Sequence, residues 1–267
     1  MQNHVDVIVG IPICRRTAYV LDKFLANQQE IQRAYPSCML VIATDEPDFV
    51  AELKAQVAHY NIKADVITFE TIKSDYAQSY IWNVTCGREA LRQYVLSTEA
   101  DYFLSIDGDM IFNPSVIDIL KNKSVDIDVV CSAYMMASLG FYGFGNGCMF
   151  FNRKTLSKMA FTYFEFNNGQ IIDESEAMDW ILFKCRSRVT KGIFIAIDHY
   201  ISWEKCYSIE PQLMGWFRRL TNNLTIRFLI IQMSIITRHN IARSLQTITH
   251  RGTHSSKKQI AQHRKIR

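Results

Sequence analysis

The chain has 267 residues, 48% of them hydrophobic and 21% charged, with a formal net charge of +4. That balance excludes a disordered or low-complexity polypeptide and supplies enough apolar residues for a large core. The charge is uneven: no acidic residue follows Glu210 but 11 lysines and arginines do, so the first 210 residues hold 19 basic against 26 acidic side chains. The modest total hides two oppositely charged parts, which we read as a catalytic-sized body at 1–210 and a basic extension at 211–267.

Val5 to Pro12 reads as a first strand, with Asp6 inside its short apolar run and no basic leader before it, so it is not expected to be a signal peptide. From Thr17 the apolar residues Val20, Leu21, Phe24, Leu25, Ile31 and Tyr35 recur at helical spacing. Cys38 to Ala43 predicts a second buried strand ending at Thr44-Asp45-Glu46-Pro47, and Pro47 starts a second helix carrying Phe49, Val50, Leu53 and Val57. A short strand at Val66 to Phe69 and a helix from Tyr80 to Leu96 follow. Beyond the next strand come a short helix from Pro114, a strand at Ile127 to Ala133, the glycine-rich FYGFGNG at Phe141 to Gly147, and a strand at Cys148 to Asn152. A helix from Glu174 to Arg188 and a strand beginning at Ile193 precede His199. Strands alternating with helices of this length predict an α/β fold with a mostly parallel central sheet flanked by helices. Seven cysteines with no Cys-x-x-Cys pair, several of them in apolar runs, fit a reducing compartment, and the expectation is a cytoplasmic protein.

The stretch that carries chemistry is DYFLSIDGDMIF, Asp101 to Phe112. Phe103, Leu104 and Ile106 suit a strand buried on both faces, yet the run stops at two carboxylates, Asp107 and Asp109. Acids at the carboxyl end of a strand in an open α/β sheet stand where such sheets bind ligands. Two carboxylates one residue apart can share a hard divalent cation that keeps positions for substrate phosphates. Gly108 is expected to give the turn backbone angles that other residues avoid and to let a ligand come close. The plainer reading is a polar turn built from ordinary turn formers.

With IDGDM in that place, the order of parts from residue 5 to 205 resembles the family-2-like glycosyltransferases with the GT-A fold. Strand one ending in Ile11-Pro12, Asp45 after strand two, Arg88 before the motif strand, GNGCMFFNR, AMDW and KGIFIAIDHYISW follow in the order such enzymes show. The resemblance implies a GT-A type nucleotide-sugar-binding fold, a nucleotide-sugar donor bound around Pro12, Asp45, Arg88, Asp107 and Asp109, and a Mn²⁺ or Mg²⁺ ion held by Asp107, Asp109 and His199. It also implies transfer to a hydroxyl of a glycan, lipid-linked or protein acceptor, with inversion and a carboxylate base at the start of the late helix. Here the match departs from the pattern. Asp179 precedes Trp180, but Met178 stands where the family has Glu, so Glu176, on the same helical face as Asp179, is the second candidate for the base.

Each residue also has a structural use: Asp45 can cap the second helix, Arg88 can be a solvated charge, Asp179 can answer the helix dipole, and His199 can be a hydrogen-bonded strand-end residue. A degenerate transferase domain that displays its basic tail is the competing class, and Met178 is the feature that favours it. A nucleotidyltransferase would need a glycine-rich loop after strand one, where this chain has GIPICRR. In the tail, LTIRFLIIQMSII at Leu224 to Ile236 is too short to span a bilayer, but Leu224, Phe228, Ile231 and Ile235 form one stripe flanked by arginines. Residues 224–267 therefore suit either an anionic membrane surface, making the protein peripheral, or packing on the acidic body. Nucleic acid is not the expected partner, since basic charge alone gives only unspecific, salt-sensitive affinity.

Overall fold

The structure, a computed structural model, describes residues 4–71, 80–132, 134–136, 141–143, 146–165, 171–193, 195, 197–200 and 206–209. The chain opens with β1 (Val7–Pro12), a single turn of 3₁₀ helix at Arg15–Val20, α1 (Leu21–Ala34) and β2 (Cys38–Thr44). Another 3₁₀ turn at Pro47–Phe49 leads into α2 (Val50–His59), then β3 (Ala64–Thr68), α3 (Tyr80–Ser97), β4 (Tyr102–Ile106), β5 (Met110–Phe112) and α4 (Val116–Lys123). The second half holds β6 (Val129–Ser132), the paired β7 (Tyr134–Met136) and β8 (Phe141–Gly143), β9 (Cys148–Asn152) and α5 (Arg153–Leu156). It continues with β10 (Phe164–Glu165), β11 (Ile171–Ile172), α6 (Glu174–Lys184), β12 (Val189–Ile193), β13 (Ile197–Tyr200) and β14 (Cys206–Ile209).

Seven strands form the central sheet in the order β12-β6-β9-β4-β1-β2-β3, and helices flank it. All its pairings are parallel except those of β9, which runs against both β4 and β6. β1 is buried along its whole length, which its uniformly apolar sequence requires of a strand covered on both faces. In α1, Leu21, Phe24, Leu25 and Ile31 turn the apolar stripe inward, as their spacing predicts. On one side of the sheet Phe103 stacks with Phe151 while Phe161 meets both edge-on, in a cluster that includes Ile8, Leu91, Met178 and Leu182.

Two boundaries depart from expectation. The late helix stops at Lys184, not Arg188: Arg186 takes a left-handed φ of 54°, the Ser187 N–H donates to Leu182 O (3.0 Å) and the Arg186 N–H to Phe183 O (3.0 Å). That is a Schellman closure made with arginine where glycine is usual. The single strand expected from Ile193 is two. β12 pairs with β6 and shifts register between Lys191 and Ile193, and β13 then joins a separate antiparallel sheet in the order β14-β13-β5. An irregularity of this kind bends a strand.

Part of the glycine-rich FYGFGNG segment and the whole of 211–267 lie outside the described residues. Among the described residues no helix is long and apolar enough to cross a membrane.

Candidate active site

β4 is buried through Ile106 and delivers Asp107 to its carboxyl end. The Asp107 N–H donates to Gly147 O (3.0 Å), and the Met110 N–H closes the turn on Asp107 O (3.2 Å). The turn does not need glycine: Gly108 has no left-handed φ, and a Cβ there would make ordinary contact with Ile13 and Ile11 at 3.6 and 3.7 Å. Local backbone angles therefore do not explain Gly108.

α3 packs across β1 and β2, and it does so closely because Gly87 faces Pro12; a Cβ on Gly87 would come within 2.7 Å of the Pro12 ring. The close approach carries the next residue, Arg88, into the interior, where it is 5% exposed and not a solvated charge. Its Nη1 donates to Glu174 Oε2 (2.7 Å) and its Nη2 to Asp107 Oδ1 (2.5 Å). One turn earlier on the same helix, Thr85 Oγ1 donates to the same Glu174 oxygen (3.1 Å). Burial pushes the Glu174 carboxyl up, against the pull of the Arg88 charge and the two donated hydrogen bonds.

Asp109 ends the turn and stands just before β5 of the other sheet. β5 runs against β13 with Met110 opposite His199, the Tyr200 N–H donates to Asp109 O (2.9 Å), and His199 Nε2 stands 3.6 Å from Asp109 Oδ2. β5 is held from behind by the buried Asn27, whose amide donates to Phe112 O (2.8 Å) and whose oxygen accepts the Phe112 N–H (3.0 Å). Burial pushes the Asp109 carboxyl up, His199 opposes the shift and the nearby charge of Asp107 adds to it. Asp109 Oδ1 is buried and has no hydrogen-bond partner among the described residues. A buried carboxylate oxygen without a donor, next to a second acid and an imidazole, suits a hard or borderline divalent cation. The three side chains are loosely gathered: among the described residues only His4, Asp6 and Asp101, of which Asp6 is half-buried, bring three ligand atoms within 4.8 Å of one another.

Pro12 and Asp45 line a shallow cleft that opens to solvent, together with Ile13, Cys14, Phe69, Asn83 and Val84. Asp45 does not cap the second helix. Its Oδ2 accepts from Asn83 Nδ2 (2.9 Å) and Thr71 Oγ1 (3.2 Å), and the 3₁₀ turn starts from Glu46 without a side-chain cap. One helix serves both places: Asn83 and Val84 of α3 face the cleft, while Thr85 and Arg88 reach the acids.

Glu176 and Asp179 are exposed on α6, and the Glu176 carboxyl is pushed up by partial burial and by the charges of Asp173 and Asp179. The buried face of that helix carries Glu174, Ala177, Met178 and Leu182, so position 178 belongs to the core cluster and the interior acid is Glu174, one turn earlier. The sequence reading missed Glu174. Its signal was an acid four residues before Met178, on the stripe that Ala177, Met178 and Leu182 mark as buried.

No family model matches the sequence, and no curated protein matches it. Solved structures do. The mannosyltransferase PcManGT from Pyrobaculum calidifontis, in complex with GDP-Man and Mn²⁺, aligns with a TM-score of 0.50 at 12% identity, over 72% of this chain and 56% of that one. The present chain thus spans just over half the length of that enzyme. The inositol-1-phosphate CTP transferase from T. maritima aligns at 0.47 and 10% identity, over 83% and 98% of the two chains. TarS from S. aureus, in complex with UDP-GlcNAc, aligns at 0.33 and 15%, over 48% and 34%. The fold of this chain is similar to that of PcManGT, and identity this low speaks to the fold alone.

Proposed function

We propose that this chain is a glycosyltransferase that moves a sugar from a nucleotide-sugar donor to an acceptor hydroxyl with the help of a divalent cation. The observation that carries the reading is Asp109, a buried carboxylate with an orphaned oxygen, beside Asp107 at the carboxyl end of β4 and facing His199. Asp109 and His199, with the oxygen of Asp107 that Arg88 does not take, would hold Mn²⁺ or Mg²⁺. Such an ion, when bound, stabilises the negative charge on a departing diphosphate. Asp45, fixed by Asn83 and Thr71, offers a carboxylate to the base or ribose in the cleft beside Pro12, and Ile13, Phe69 and Val84 offer apolar surface to a ring lying there. Transfer proceeds with inversion, and Asp179 or Glu176 takes the acceptor proton. The acceptor is a glycan, lipid-linked or protein hydroxyl, reached on the cytoplasmic side with residues 224–267 against an anionic membrane surface.

Asp109→Ala tests the reading. Donor turnover and Mn²⁺-dependent stabilisation by nucleoside diphosphates should both vanish, a loss of at least about a hundredfold in rate, with the metal-free melting temperature little changed. Turnover at the wild-type rate by the variant sinks the proposal.

A further inference from the structure

The Arg88 guanidinium lies between two carboxylates on different elements, one nitrogen on Asp107 at the end of β4 and the other on Glu174 at the start of α6. Both ion pairs are short, and Arg88 and Glu174 are almost fully buried, with side-chain exposures of 6% and 4%. A guanidinium this close to an acid pair competes with a metal ion for the same oxygens, because its fork of donors matches two carboxylates as readily as one. Asp107 and Asp109 are two residues apart, and the like charge of Asp107 already bears on Asp109.

We infer that Glu174 is a positioning residue that anchors Arg88 at a single oxygen of Asp107 and so keeps the guanidinium off the cation position between Asp107 and Asp109. Three features serve this purpose. Glu174 takes one whole arm of the guanidinium, so only the other arm reaches Asp107. Thr85 donates to the same Glu174 oxygen, fixing the carboxylate from the helix that carries Arg88. Asp173 accepts the Glu176 N–H (3.0 Å) as the cap of α6, which sets the first turn of the helix and with it the place of Glu174.

The inference rests on the cation reading given above, and the test separates the two. Mn²⁺ alone is titrated into the full-length chain and the free ion is followed by electron paramagnetic resonance, with metal-free thermal midpoints recorded for every variant. Glu174→Gln should bind Mn²⁺ about tenfold more weakly, the effect of one freed charge a few ångströms away in a partly buried site. The double variant Arg88→Gln with Glu174→Gln removes the competitor together with its anchor, and should return the affinity to within about threefold of the wild type, an interaction between neighbouring sites that a double-mutant cycle isolates. A role confined to packing predicts the reverse, a double variant no better than the single one, and that result overturns the inference, as does unchanged affinity in Glu174→Gln. Should Glu174→Gln fail to fold, Thr85→Val loosens the same carboxylate and is expected to weaken Mn²⁺ by about twofold, the scale of one neutral hydrogen bond partly replaced by solvent; no change overturns the inference. A wild-type protein that binds no Mn²⁺ overturns the cation reading itself, whatever Glu174 does.

Discussion

The two ends of the central sheet carry similar ingredients arranged to opposite effect. At the amino-terminal end, Asp6 just before β1 accepts from Lys121 of α4 (2.7 Å) and from the Tyr35 hydroxyl, and the Lys121 ammonium lies over the Tyr102 ring. At the carboxyl end, Arg88 lies between Glu174 and Asp107, with Asp109 and His199 beside them. Lys121 and Asp6 balance one cation against one anion. The carboxyl end sets three carboxylates against one guanidinium and leaves buried oxygens of Asp109 and Glu174 without donors among the described residues. Parallel sheets open their binding crevices at the carboxyl ends of the strands, and that is the end where this chain keeps unsatisfied acceptors and surplus negative charge. The difference is the ground for proposing the carboxyl-end cluster as the site.

The sharpest way to break the comparison is to add an acid to the carboxyl end where no cation can answer it. Met178→Glu places there the acid of the glycosyltransferase pattern the sequence resembles, yet position 178 is 1% exposed in the core cluster and sits one turn after Glu174. The substitution should cost roughly 3–5 kcal/mol by burying an unpaired charge, read as a large fall in the urea midpoint, and should not raise turnover. A stable and faster Met178→Glu enzyme would show that the buried face of α6 is where the base belongs. Next in size is Gly87→Ala. A Cβ 2.7 Å from the Pro12 ring must move α3 off β1, and because α3 carries Asn83 to the cleft and Arg88 to the acids, both places shift together. A loss of about 1–3 kcal/mol in stability is expected, with nucleotide affinity and metal affinity falling in parallel. Loss of one without the other would separate the cleft from the acid pair.

Much of the sheet was legible because it follows from local rules. The apolar runs of β1, β2 and β4 and the stripe on α1 say which faces are buried, and Cys148–Asn152 falls where its sequence puts it. The change of sheet between β12 and β13 was not legible, because a continuous apolar run such as IFIAI does not state which partner it will find. At the site, Asp107 and Asp109 announced themselves as acids ending a buried strand. Arg88 did not: a lone arginine on a helix reads as a surface charge until its partners are known, and those partners lie 19 and 86 residues away. Glu174 was hidden by its neighbours, since the acid-rich DESEAMD draws the eye to a sequence motif and away from the stripe that shows which acid faces inward. The role of Asp45 likewise depends on Thr71 and Asn83, which only the fold brings to it.

The smallest effect tests the balanced end. The Lys121 ammonium is held charged above the ordinary lysine value of 10.5 by its hydrogen bonds to Asp6 and Tyr35, which outweigh its desolvation, and the Tyr35 hydroxyl is held protonated above the ordinary value of 10.0, chiefly by burial and by Asp6. For both groups the folded state keeps its proton longer than the unfolded chain does. Their contribution is therefore complete below about pH 10 and declines as the pH climbs through the ordinary tyrosine and lysine range toward the raised folded values. Lys121→Met keeps the stem over the Tyr35 and Tyr102 rings and removes the charge, so it should cost only about 1 kcal/mol at pH 8, the scale of a partly buried charged hydrogen bond. The pH dependence separates the two ends more clearly than the magnitude does. The gap between the urea midpoints of wild type and variant should hold from pH 8 to about pH 10 and narrow only above that, while binding of Mn²⁺ at the Asp109 site at neutral pH stays the same in both, because Lys121 serves the far end of the sheet. A Lys121→Met variant that lost metal affinity would mean that the charge at one end sets the field at the other, and the division into a structural cluster and a site would have to be abandoned.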